Sequence, residues 1–230
     1  MAKRKKLIIA IDGPAGAGKS TIGKLIASEL GYVYVDTGAL YRAIGYLAIE
    51  NKIDMSSEKA LTELALNITL AYEQTKGGTR LTANGEDVTS KIRTQEVSLA
   101  ASKVSSYEGV RKSLLDIQRD IGKNGGIVID GRDIGTVIFP DAEIKFFLDA
   151  NSAERANRRY KEQISRGEKV DAKRVLDEMN KRDRDDSSRE CAPLKIADDA
   201  IYIDTTGKNV TEVLAETLNY IEKQLSELSN

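Results

Sequence analysis

Histidine is absent from the sequence. That removes a Ser-His-Asp triad, an imidazole general base and any His-ligated metal from the available chemistry. There is one cysteine, Cys191, too few for a disulfide framework or a thiolate zinc site. With no imidazole to activate it, Cys191 reads as a small half-buried residue. No apolar run approaches the ~20 residues of a membrane span. The opening "MAKRKKLIIAIDG" sets basic residues before an apolar stretch, but that stretch is too short for the apolar centre of a secretory signal. The chain therefore reads as cytoplasmic, with a solvated basic N-terminus leading into a buried strand. An excess of charge is missing too. Lys plus Arg number 35, Asp plus Glu 36, and the net charge is -1. This balance exerts no long-range pull on nucleic acid or anionic membrane, so neither is an expected partner. A strong anion site must come from local clustering of Arg and Lys.

What is present has the pattern of an α/β fold. At 230 residues, the chain can bury roughly 70% of its unfolded surface without a metal or disulfide. Five short apolar runs each end in an aspartate: "LIIAID" at Asp12, "VYVD" at Asp36, "IVID" at Asp130, "IKFFLD" at Asp149 and "AIYID" at Asp204. Continuous runs of this length suit strands buried on both faces. Helical stretches follow them, which predicts βαβ units and a parallel sheet. Ligands of such sheets bind beyond the carboxyl ends of the strands, where the five aspartates sit. Asp12, Asp149 and Asp204 are expected to cap helices or make turns. Asp36 and Asp130 are expected to serve the site instead.

About ninety residues separate Asp36 from Ile127, against the ~30 of one βαβ unit. Within that gap lie "NITLAYE", "TRLTA" and "EDVTSKI". The last two flank Asn84-Gly85, a strong hairpin signal, and the first two are joined by "TKGG". A small antiparallel sheet with helices on either side is thus inserted in the parallel fold, where a second substrate would be held. The expected division is a core of 1–36 and 104–230, an insertion of 37–103, and a lid at 151–170 within the core. Near the C-terminus, a helix over about 210–228 lines up Val213, Leu214, Leu218, Ile221 and Leu225 as a packing stripe.

The stretch "GPAGAGKS" matches the phosphate-binding pattern G-x-x-x-x-G-K-[ST] through Gly13, Gly18, Lys19 and Ser20. A buried strand precedes it and the helical "STIGKLIASELG" follows. Glycines let backbone N–H groups turn inward onto phosphate oxygens, and the helix dipole adds to them. Lys19 would reach the β and γ phosphates and Ser20 would hold Mg²⁺. The predicted fold is a P-loop NTPase-type parallel five-stranded sheet flanked by helices, with the antiparallel insertion and a helical lid. A GTPase would need a base-reading "NKxD" after a "DxxG" switch. Here "NKID" at 51–54 ends a helical stretch and precedes "DTTG" at 204–207, so neither is assigned a role. A small-molecule kinase remains.

The arginines bear on the acceptor. An acceptor that is itself a phosphate brings about two negative charges, needs no His base, and needs Arg forks to draw two polyanions together. Candidates are Arg42 in "DTGALYRA", Arg111, Arg132 in "DGRDIGTVIFP", and two Arg-rich helices. One carries Arg155, Arg158 and Arg159 at i, i+3 and i+4 behind a cap at Asn151 or Ser152. The other carries Arg182, Arg184 and Arg189 among acidic residues. A kinase of another small acceptor, such as UMP or a shikimate-like alcohol, stays open at this point. So does a P-loop binding module without an acceptor.

Taken together, "GPAGAGKST", "DTGALYR", "IRTQEV", "DGRDIGTVIFPDA" and "RDRDDSSRECAPL" resemble the bacterial cytidylate kinases over about residues 7–220. The resemblance implies transfer of the γ-phosphate of ATP to CMP and dCMP, with Mg²⁺, by a monomer of pyrimidine nucleotide metabolism. It implies an ATP loop of Gly13, Pro14, Ala15, Gly16, Ala17, Gly18, Lys19, Ser20 and Thr21. Thr37 and Arg42 fall at the acceptor nucleotide, and Ser102, Arg111 and Asp133 around the cytosine. Arg132 falls on the acceptor phosphate, with Asp186 and Arg189 reaching the sugar and phosphate. Arg155, Arg158 and Arg159 belong to a closing lid. The catalytic set it implies is Lys19, Arg132, Arg159 and Arg182. A carboxylate such as Asp133 accepts from the exocyclic amine of cytosine and repels the carbonyl of uracil. With no His in the chain, a flat pH-rate profile around neutrality is expected.

Overall fold

The computed structural model describes residues 6–75 and 78–227. The basic N-terminal residues 1–5, the middle of the "TKGG" connector and Leu228 lie outside them. In chain order, β1 (Ile8–Asp12) leads to α1 (Lys19–Leu30), and β2 (Val33–Asp36) to α2 (Thr37–Glu50) and α3 (Glu58–Asn67). Then come β3 (Leu70–Thr75), β4 (Gly78–Ala83), β5 (Glu86–Asp87), α4 (Gln95–Val104) and α5 (Glu108–Gly122). The chain continues through β6 (Ile127–Asp130), β7 (Ile144–Asp149), α6 (Ser152–Ser165), α7 (Ala172–Ser188), β8 (Ile201–Asp204) and α8 (Val210–Glu227). It divides into two compact units, Met1–Tyr34 with Gly125–Asn230, and Val35–Asn124. No described helix is long and apolar enough to cross a membrane.

The five apolar runs form one sheet of order β2-β6-β1-β7-β8. β1 runs parallel to β6 and β7, and β7 to β8. The register sets Ile11 opposite Asp130, Asp12 opposite Phe147, and Asp149 opposite Asp204, so these carboxylates share one sheet end. Ile9, Ile11, Val128, Phe146 and Leu148 form the core with Ile22 and Ile26 of α1 and Val213 and Ile221 of α8. Leu214, Leu218 and Leu225 complete the expected stripe on α8. Burial on both faces holds for β1, β6 and β7 but not for the edges. β8 leaves Tyr202 51% exposed, its ring stacked on Phe147 with centroids 6.1 Å apart, and β2 buries Val35 alone. An edge strand has a neighbour on one side only, so the apolar run says less about its cover.

In the second unit, β3, β4 and β5 form the antiparallel sheet. β3 pairs with β4 from Leu70↔Ala83 to Thr75↔Gly78. β4 turns into β5 through Asn84 and Gly85 at φ 52° and 81°, the left-handed pair that an Asn-Gly hairpin requires. Leu40, Ile44, Leu61, Leu81, Ile92 and Leu114 share its core. A Cβ at Gly45 would lie 3.1 Å from the Ala101 backbone nitrogen, so the glycine lets α2 and α4 pack closely. The unit runs on to Asn124, past the expected boundary at 103. The reason is α5, whose Val110 and Leu114 bury in the same core as Leu61 of α3.

Candidate active site

The phosphate loop joins β1 to α1. A Cβ at Gly13 would fall 1.9 Å from the Leu148 carbonyl oxygen, and φ there is 141°, so no other residue fits. Gly18 heads α1 in the left-handed region at φ 93° with no side-chain cap, which leaves the helix N-terminus open to an anion. The loop's peptides are fixed from outside. Arg155 donates to the Ala15 carbonyl at 3.1 Å, and the Thr205 hydroxyl to that of Ala17 at 3.2 Å. Carbonyls held this way fix the loop's peptide planes, and with them the N–H groups an anion would use.

Lys19 is buried, with Nζ donating to the Pro14 carbonyl at 2.7 Å. Its pKa is pushed down to about 7 by burial first and then by Arg132, with Arg182 adding to them; Asp130 and Asp12 pull the other way. Three cations therefore share one field at the loop. Asp12 is pushed up to about 7 by burial, although it accepts backbone hydrogen bonds from Gly135 at 2.8 Å and Ile134 at 2.9 Å. Those bonds anchor the π-helical turn Ile134–Ile138. Asp149 accepts from the Ala150 N–H and Asp204 from the Thr206 N–H, so these two make local turns, whereas Asp12, contrary to expectation, accepts across the fold from a distant segment. The absence of histidine does not, after all, leave the site without groups that titrate near neutrality. Burial supplies two.

Asp130 ends β6 beside the loop. The Ser20 hydroxyl donates to its Oδ2 at 3.1 Å and the Tyr34 hydroxyl to its Oδ1 at 2.6 Å. A hydroxyl and a carboxylate side by side are the hard oxygen donors Mg²⁺ takes when phosphates and water complete its shell. Ser20 and Asp130 fit that ion.

Arg132 follows β6. Its Nε donates to Asp186 Oδ2 at 2.8 Å, and a second nitrogen to the Gly131 carbonyl. Arg189 lies 3.7 Å from the other Asp186 oxygen and donates to the Ala192 carbonyl. Burial would raise the pKa of Asp186, but Arg132, Arg182 and Arg189 hold it below the ordinary carboxylate range. Asp133 is buried, and its carbonyl accepts from Val137 and Ile138. Arg182 is half-buried on α7 and Arg184 is exposed.

The three arginines of α6 part company. Asn151 caps the helix. Arg155 is buried, bonded to the carbonyls of Ala150 and Ala15 and to Asp183 of α7. Arg158 grips Thr205 twice, through its hydroxyl at 2.9 Å and its carbonyl at 2.7 Å. Arg159 pairs with Glu162. Thr205 belongs to the "DTTG" stretch that sequence patterning left without a role.

Within the second unit, Asp36 caps α2 by accepting from the Ala39 N–H at 3.1 Å. It caps a helix through one oxygen and does more than cap, because its other oxygen pairs with Arg42 at 2.5 Å. Burial would raise its pKa; Arg42 and then Arg93 outweigh that and lower it. Thr37 is buried at the start of α2. Arg111 is buried, donates to the Ser105 carbonyl at 3.2 Å, and stacks on Tyr41 at 5.4 Å. Ser102 is half-buried on α4. Sequence reasoning missed Tyr34, Thr205 and Asp183. Tyr34 sits in an apolar strand pattern that hides its hydroxyl.

A family profile described as cytidylate kinase matches residues 9–223. The chain is 47% identical to a cytidylate kinase of Enterococcus faecalis over 97% of this chain and 99% of that one. It is 48% identical to one of Caldicellulosiruptor bescii over 95% and 97% of the two chains. With one of Bacillus subtilis it shares 44% identity over 96% and 98%.

Proposed function

The chain belongs to the cytidylate kinase family, and from that premise we propose that it transfers the γ-phosphate of ATP to CMP and dCMP. The products are CDP or dCDP and ADP. ATP lies on residues 13–21, its phosphates on the open N-terminus of α1 and against Lys19. An oxygen of the acceptor phosphate attacks the γ-phosphorus, the bond to the bridging oxygen breaks, and ADP leaves with the electron pair. A phosphate monoester is already mostly dianionic at neutral pH, so no general base is required. This is how a chain without histidine runs the reaction.

The observation that carries the reading is Lys19 buried at the phosphate loop in one field with Arg132 and Arg182, its pKa pushed down to about 7 by burial first and then by those cations. Such a cluster is stabilised by the polyanions it awaits. Asp186 holds Arg132 toward the acceptor phosphate. Arg159 and Arg182 contribute to the charge that develops in transfer, and Arg155 and Arg158 brace the lid segment. In the first unit Asp133 is assigned to the cytosine amine and Arg189 to the nucleotide; in the second unit Ser102 and Arg111 are assigned to the base, and Thr37 and Arg42 to the nucleotide. Ser20 and Asp130 would hold Mg²⁺, which would supply charge neutralisation to the phosphates. The reading describes a monomeric cytoplasmic enzyme of pyrimidine metabolism.

The test is ADP release with ATP and Mg²⁺, screening CMP, dCMP, UMP, AMP, GMP and shikimate. Turnover confined to CMP and dCMP is expected. Turnover led by another acceptor would reassign the specificity, and none with any of them would leave a nucleotide-binding module.

A further inference from the structure

Tyr34 takes no part in the assignments above, yet it is built into the metal end of the site. We infer that Tyr34 is a positioning residue that holds the Asp130 carboxylate in the orientation serving Ser20; the inference rests on Ser20 and Asp130 being the Mg²⁺ residues.

Asp130 is 4% exposed. Its two oxygens are engaged separately, Oδ1 by the Tyr34 hydroxyl at 2.6 Å and Oδ2 by Ser20 at 3.1 Å. The carboxylate torsion is soft, with a broad two-fold profile. Donors on both oxygens resist that rotation more than a donor on one, so the Tyr34 bond adds to the restraint on the carboxylate. Serine must release part of that bond to serve the metal, and the phenol then keeps the carboxylate in place.

The tyrosine ring is itself located by the sequence of α1. At Gly23 a Cβ would lie 3.0 Å from Tyr34 Cε2 and 3.2 Å from Cδ2, so the ring occupies the space a side chain there would need. The Lys24 ammonium lies 5.7 Å from the ring centroid, a cation over the aromatic face. A ring fixed by a glycine on one helix and aimed at a carboxylate on the adjacent strand is a second-layer support for metal ligands. Losing such partners typically costs 10–100-fold in metal affinity.

The experiment uses Tyr34→Phe, which keeps the ring contacts and removes one oxygen. ATP affinity is measured by calorimetry with and without Mn²⁺ standing in for Mg²⁺. Retention of Mn²⁺ on the nucleotide complex is followed by water-proton relaxation. Affinity for bare ATP is expected to be unchanged and that for Mn²⁺-ATP to fall roughly 10-fold, with kcat recovered at saturating metal. Ser20→Ala sets the floor. Wild type with no preference for Mn²⁺-ATP over ATP would sink the metal reading and this inference with it. A preference intact in Tyr34→Phe would overturn the Tyr34 role alone. Equal losses for bare and metal-bound ATP would make the tyrosine a packing residue and overturn it as well.

Discussion

Asp186→Asn removes one negative charge from among three guanidiniums while keeping the side chain's shape. The carboxylate is 5% exposed, lies 2.8 Å from Arg132 Nε and 3.7 Å from Arg189, and also feels Arg182. A unit charge pair near 4 Å is worth roughly 4 kcal/mol at an effective dielectric of ~20. Removing one partner of a buried pair costs about 3–5 kcal/mol, because the survivors stay buried and repel. Asparagine leaves no cavity, so the low end, about 3 kcal/mol, applies. For a chain of this length, each kcal/mol moves Tm about 2–4 °C, which gives a fall of about 6–12 °C. The sign with pH follows. A carboxylate whose pKa is lowered by folding stabilises the protein above its ordinary pKa and loses that contribution as pH falls through its folded value. The gap between parent and variant should therefore close in strong acid. Phosphate or CMP supplies the missing charge and should stabilise the variant more than the parent. Scanning calorimetry with and without each ligand reads both effects. A drop of under ~2 °C, or equal gains from phosphate in the two proteins, would refute the charge argument.

Three other outcomes follow from named contacts. Lys19 is pushed down to about 7 and bound phosphates favour its charged form. ATP binding in mildly alkaline buffer should therefore take up protons, seen as a binding enthalpy that varies with buffer ionisation enthalpy; Lys19→Met should abolish the variation. The same lowering means that nucleotide-free protein gains stability from this group as pH rises from about 7 toward 10.5. Arg155→Ala loses bonds to Ala150, Ala15 and Asp183; urea unfolding should show a loss of about 3 kcal/mol. Because the Ala15 peptide is freed, KM for ATP should rise more than kcat falls, and an unchanged KM would contradict the loop-bracing role. Asp133→Ala should narrow the preference for CMP over UMP by about 100-fold or more in kcat/KM, and full preference in that variant would remove Asp133 from base reading.

Much of this protein is local in the sequence. The phosphate loop is a contiguous string whose glycines answer steric demands within a few residues. The strand-loop-helix signal, the Asn84-Gly85 hairpin and the stripe on α8 are periodic or nearest-neighbour features in the same way. The antiparallel insertion announces itself by an overlong gap between apolar runs. Most of what stayed hidden depends on residues far apart in the chain, and the rest on which of several near neighbours a group selects. The order β2-β6-β1-β7-β8 decides that Tyr34 meets Asp130 and that β8 is an edge, and no local pattern encodes which strand lies beside which. Arg155, Arg158 and Arg159 are near neighbours on one helix, yet α7, Thr205 and Glu162 take one each. Asp36 both caps and pairs because its two oxygens face different partners. Burial pushes Asp12 up to about 7, and burial with Arg132 and Arg182 pushes Lys19 down to about 7 against the pull of Asp130. The sequence thus determined which groups are available, since backbone sterics and periodicity act over a few residues. Tertiary structure decided what each group does, since desolvation and Coulomb forces depend on distance in space and not along the chain.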